Sequence, residues 1–211
     1  MIHIEVLQAI DIYVLSVIIL AVIGFKSWNA PKEKMSQTRL FSCLIILTAL
    51  VSILDAFTVI LDGVPGTAVH ILLCLAASFG YTLQMCVCVL WSRYVRAIVD
   101  PDPKHSHWRT HVENIVIAVV AILSFSSFRT GFLFEYGADN IYRRGPLFIL
   151  AASASFYFLF AGYFVVVSNR KFVDRHTLLA LLSFALPPAV GGFVQGLFYG
   201  VYLLWPSMAL S

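Results

Sequence analysis

Six stretches of the chain, residues 7–25, 40–61, 68–91, 112–128, 147–168 and 178–204, are long and almost wholly apolar, and short polar segments separate them. A bilayer core ~30 Å thick needs about 20 apolar residues at the helical rise of 1.5 Å. In hydrocarbon a spanning segment must satisfy its backbone hydrogen bonds internally, so each stretch is expected to be a helix. After the sixth, Trp205-Pro206-Ser207-Met208-Ala209-Leu210-Ser211 turns apolar again and stops. The expected fold class is therefore all-α: a polytopic transmembrane bundle of six full helices plus the start of a seventh, forming one domain over 1–211. A six-helix protein with a short external tail stays open as the alternative. The first stretch does not read as a cleavable signal peptide, because Glu5 and Asp11 stand where basic residues would be expected.

Composition agrees. Apolar residues make up 60% of the chain, charged residues 12%, and the mean hydropathy is +0.89, whereas a soluble domain carries roughly a quarter charged residues. A net charge of +3 spread over short clusters gives no basis for nucleic-acid binding. Its placement sets orientation. Lys26, Lys32, Lys34, Arg39, Arg93, Arg96, Lys104, Arg109, Arg170, Lys171 and Arg175 fall on one side of the expected bundle, and only Arg129, Arg143 and Arg144 on the other. The positive-inside rule puts the larger group in the cytoplasm and the N-terminus outside.

The one sizeable external loop, 129–146, alternates aromatic residues with glycines and is rich in turn formers over 137–140. It is expected to lie on the bundle mouth as a hairpin or lid, packed through Tyr136, Ile141 and Tyr142. Arg143 or Arg144 would reach Asp62, Glu135 or Asp139. Anchoring in the headgroup region is the competing account.

Chemistry is sparse: no HExxH, P-loop or GxSxG pattern and no metal-spaced ligand run, hence no catalytic residue, metal or cofactor is expected. Cys43, Cys74, Cys86 and Cys88 are expected as buried small hydrophobes without a disulfide. Polar groups within spans are costly and usually turned inward. Asp55, His70 and Gln195 fall at comparable depths near the outer face. Together with Tyr142, Arg143 and Arg144 of the loop they are the candidate ligand-binding residues; interhelical hydrogen bonding is the plainer reading of the first three. Glu113 and Asp11, close to span ends, read as interfacial. In the sixth stretch Pro187-Pro188 should kink the helix, and Gly192, Gly196 and Gly200 form a smooth stripe suited to close packing.

Asp139-Asn140-Ile141-Tyr142-Arg143-Arg144-Gly145-Pro146-Leu147 resembles a D/N-N-x-Y-x-R-G-P-L stretch in multi-helix membrane sensors. Those sensors stand in front of cytoplasmic GGDEF diguanylate cyclase domains in bacteria. Leu54-Asp55, Trp91-Ser92-Arg93-Tyr94, Pro188, Gln195, Phe198-Tyr199-Gly200 and Leu204-Trp205-Pro206-Ser207 extend the likeness over essentially the whole chain. Related sensors also precede histidine kinases. The resemblance implies a non-catalytic sensor in the bacterial inner membrane, which detects a small ligand or membrane stimulus and regulates a cytoplasmic signalling domain of a longer parent. The chain lacks a GGDEF motif and a soluble domain, so it is not expected to make cyclic di-GMP itself. Its expected partners are the lipid bilayer, a small-molecule ligand and a second copy of the chain. The alternative function is a small permease or transporter fragment, supported by the prolines of the sixth stretch and the intramembrane polar groups. A retinal photoreceptor is disfavoured because all five lysines lie at cytoplasmic ends.

Overall fold

A computed structural model describes residues 2–28, 35–99, 106–171 and 173–197. They form six helices: α1 (Ile2–Trp28), α2 (Met35–Leu61), α3 (Thr67–Val99), α4 (Ser106–Thr130), α5 (Phe148–Ser168) and α6 (Arg175–Leu197). One two-stranded antiparallel hairpin, β1 (Phe134–Tyr136) and β2 (Tyr142–Arg144), stands between α4 and α5. The chain is thus mostly helical. Gln37–Leu61, Thr67–Val99, Trp108–Thr130 and Phe148–Ser168 are long and apolar enough to cross a membrane. The tail that suggested a seventh helix lies outside the described residues. Helix α6 remains helical across Pro187-Pro188.

Helices α2, α4 and α5 pack against α3, while α1 packs on α2 and α6 on α5. Tyr13 of α1 packs with Val51 and Val59 of α2 and Val87 of α3. Leu44 of α2 meets Trp91 and Val95 of α3, with Leu159 and Val166 of α5 and Leu181 of α6 in the same cluster. Close approach to α3 depends on small residues. Gly162 of α5 faces Trp91, where an added Cβ would lie 2.9 Å from the indole nitrogen. On the α4 side, Ser78 and Ser124 exchange hydroxyl-to-carbonyl hydrogen bonds of 3.2 and 3.0 Å, and both serines are buried. Such reciprocal bonds join two backbones and satisfy both hydroxyls.

The outward faces are apolar. Ile46, Leu50, Ile53, Phe57 and Ile60 recur at helical spacing along one exposed side of α2, and Ile115, Val119 and Ile122 along α4. Contiguous exposed apolar stripes of this length suit hydrocarbon and are poorly tolerated in water. The bundle's two ends differ in charge. One end gathers Arg39, Arg93, Arg96, Arg109, Arg170, Lys171 and Arg175, tied together by the Gln37 side chain donating to Ala97 O at 2.8 Å and by Val173 and Leu178 packing near Val99. The other end carries the hairpin. Cys43 is exposed, against the expectation of four buried thiols, because its side of α2 faces outward; Cys74 is buried and Cys86 and Cys88 are half-buried.

Candidate functional site

The hairpin is built by its own sequence. Gly131, at φ 65°, ends α4 with its N–H donating to Ser127 O at 2.9 Å, the left-handed residue that commonly closes a helix. Ser127 Oγ then accepts from Leu133 N at 2.9 Å. Phe134 pairs with Arg144, Glu135 with Arg143 and Tyr136 with Tyr142. Strand alternation turns Glu135 outward and Phe134 and Tyr136 into the bundle, where they are buried with Leu133 and with Leu73, Cys74 and Ala77 of α3. Phe134 stacks on Tyr81 at 5.7 Å between ring centroids, and the Tyr81 and Tyr142 hydroxyls hydrogen-bond.

The return of the chain is constrained at Gly145. Its N–H donates to Leu133 O at 2.9 Å, and Leu147 N donates to Phe132 O at 2.8 Å. A Cβ at 145 would overlap the carbonyl oxygens of Gly131 and Phe132. Gly145→Ala should therefore destabilise the folded chain by about 3 kcal/mol, the top of the usual overpacking range, because backbone rather than side-chain tips must move. Thermal unfolding in detergent, with amide exchange at Leu147, checks this; wild-type stability in the variant would show that the return path is not rigid.

The hairpin is fastened to the α2–α3 loop by Asn140. This residue is 3% exposed and left-handed at φ 56°. Its Nδ2 donates to Val64 O at 2.7 Å and Gly66 O at 3.2 Å, while its carbonyl accepts from Gly63 N at 2.9 Å. Its Oδ1 lies 2.9 Å from His70 Nδ1. Beside it, Tyr142 N donates to Asp62 Oδ1 at 2.9 Å. Burial against the hairpin pushes the Asp62 carboxyl above its ordinary range, the Tyr142 amide pulls it back, and Asp139 adds to the rise. Burial likewise pushes the Tyr136 phenol upward, with Tyr142, Asp62, Cys74 and Asp55 adding to it in turn.

The candidate residues are thus distributed as follows. His70 and Tyr142 are structural fasteners of the hairpin. Asp55 is half-buried within electrostatic reach of Tyr136. Arg143 reaches Asp139 at 3.1 Å on the exposed side, and the Arg144 guanidinium lies 4.7 Å over the Phe148 ring. The Gln195 side chain lies outside the described residues. Ile141, expected to pack on the mouth, is exposed, since the turn ending at Asn140 directs it away from the bundle. Between α3, α4 and β1 a cavity of about 230 Å³ opens, with His70, Cys74, Phe134 and Tyr136 on the bundle side and Arg129 and Glu135 toward the rim. Among the described residues no group of three or more His, Cys, Asp or Glu could hold a metal ion.

No family model matches the chain, and no curated protein or solved structure matches it significantly.

A second polar centre lies at the basic end. Glu113 is buried, not interfacial as its nearness to a span end suggested. Arg93 Nε donates to its Oε2 at 2.7 Å, and Arg96 Nη2 donates to its Oε1. Arg93 also reaches Asn114 Oδ1 at 2.7 Å, and Arg96 reaches Ser92 Oγ at 3.2 Å. A buried carboxylate at a helix interface needs partners of this kind, and two guanidinium forks supply them.

Proposed function

We propose that the chain is a non-catalytic sensor module embedded in a bacterial inner membrane, with six crossing helices and the hairpin end outside. On this reading it regulates a cytoplasmic signalling domain of a longer parent, a diguanylate cyclase by the resemblance of the 139–147 segment. The observation that carries the proposal is the hairpin, fastened by side-chain hydrogen bonds to the α2–α3 loop over an open polar cavity. A ligand in that cavity would touch α3, α4 and β1 together, and so could favour one arrangement of them over another. Helix α3 runs from the hairpin to the arginine–glutamate centre, which gives a displacement at one end a continuous path to the other.

Two experiments test this. Cysteine labelling in intact cells addresses orientation: Ala138→Cys should react with an impermeant maleimide and Ser36→Cys should not, and the opposite pattern would reverse the topology. Amide exchange of the full chain in nanodiscs addresses sensing. Periplasmic small-molecule extract should slow exchange over 132–145. Unchanged exchange, together with solute uptake by proteoliposomes, would replace the sensor with a permease.

A further inference from the structure

The cavity's hydrogen-bonding capacity defines what can occupy it, and the inference rests on the sensor reading above. Both Asn140 Nδ2 bonds run to carbonyls, so Oδ1 is the atom facing His70 and must accept. Neutral His70 therefore carries its proton on Nδ1. Its Nε2 is then an acceptor, reached at 3.8 Å by the Cys74 thiol, a weak donor, and both residues line the cavity. Two of the neighbouring hydroxyls already spend their protons: Ser127 Oγ donates to Leu123 O at 2.7 Å and Thr130 Oγ1 to Ser126 O at 3.0 Å.

Helix α4 ends at this wall, presenting the negative pole of its dipole. Glu135 stands over that end, its Oε2 placed 3.6 Å from where a Cβ on Gly131 would be. Arg143, opposite Glu135 in the hairpin register, turns instead to Asp139. Among the described residues neither Glu135 nor Arg129 has an ion-pair partner. Phe128 and Tyr136 add aromatic surface to the lining, and aromatic rings attract cations. The cavity thus offers acceptors at His70 and Glu135, a guanidinium at its rim in Arg129, and a phenol donor in Tyr136.

We infer that it binds a small zwitterion of the amino-acid type. The ammonium group is taken by Glu135, the His70 Nε2 lone pair and the α4 terminus, and the carboxylate by Arg129. A volume of about 230 Å³ is of the size that such a molecule fills.

Calorimetry on the full chain in nanodiscs tests this, with glycine, serine, leucine and phenylalanine as probes beside their N-acetyl derivatives and decarboxylated amines. Free amino acids of one side-chain class should bind, with both modified forms weaker by about tenfold or more. Glu135→Gln and Arg129→Gln should each weaken binding about tenfold, the first sparing the amine-blocked probe and the second the decarboxylated one. Both side chains are exposed, and unchanged thermal unfolding of the variants will show that folding is intact. Absence of binding by all four amino acids overturns the assignment, as does equal binding of the N-acetyl or the decarboxylated forms. If amino acids fail while extract still slows hairpin exchange, the zwitterion is wrong and the sensor stands. If neither acts, both fall.

Discussion

Replacing Asn140 with alanine is expected to release the hairpin from the bundle and raise amide exchange over 132–145 by two to three orders of magnitude. The substitution removes the bonds to Val64 O, Gly66 O and His70 Nδ1. A hydrogen bond contributes about 1 kcal/mol net, with more lost where a buried partner is orphaned. Alanine must also hold φ 56°, at a further cost of about 1 kcal/mol. The sum, about 3–4 kcal/mol, acts on the hairpin first, because the helices below are packed by their own apolar clusters. The amides of Gly63 and Tyr142, bonded to Asn140 O and Asp62 Oδ1, are the reporters. Asn140→Gly separates the two contributions: it loses the same side-chain bonds but adopts the left-handed backbone freely, so it should be the milder change by about 1 kcal/mol. Wild-type exchange in the alanine variant would remove Asn140 from the fastening role and the hairpin from the sensing proposal.

How much of this was legible in the sequence follows from the range of each interaction. Hydropathy located the helices because a long apolar run is a property of each segment by itself. It stopped the third at residue 91, yet α3 continues to Val99. Arg93 and Arg96 look like the start of a cytoplasmic loop until Glu113, 20 and 17 positions away, closes on them from α4. No local pattern reports such a pairing. Turn formers over 137–140 correctly announced a hairpin, and Tyr136 and Tyr142 do pack at the mouth. The particular role of Asn140 depends on three separate segments meeting, so it was hidden among ordinary turn residues. His70 stood out as a polar group in an apolar run, but its partner could not be named. Arg129 and Glu135 looked like loop charges; only the end of α4 and the register of β1 bring them to one cavity.

At the opposite end the largest effect is expected from Glu113. Its side chain is 3% exposed, and it is held by two arginines that are 26% and 24% exposed. Glu113→Leu leaves both guanidinium groups facing an apolar replacement at the α3–α4 interface. Removing one partner of a buried pair costs roughly 3–5 kcal/mol. The low end, about 3 kcal/mol, is expected here, since each arginine is a quarter exposed and can turn its head outward along its aliphatic stem. The loss comes from uncompensated charge rather than from missing attraction, and this gives a sharper test than the single variant. Arg93→Met and Arg96→Met added to Glu113→Leu should recover most of the stability, because an apolar triad of similar volume leaves no buried charge. Either arginine change alone should cost less than Glu113→Leu, since the remaining guanidinium still neutralises the carboxylate. Thermal unfolding in detergent across the set gives the coupling directly. If Glu113→Leu matches wild type, or the triple variant is worse than the single, the centre does not hold α3 to α4. A signal reaching the basic end would then have to cross by another pair of helices, with α5 against Trp91 the next candidate.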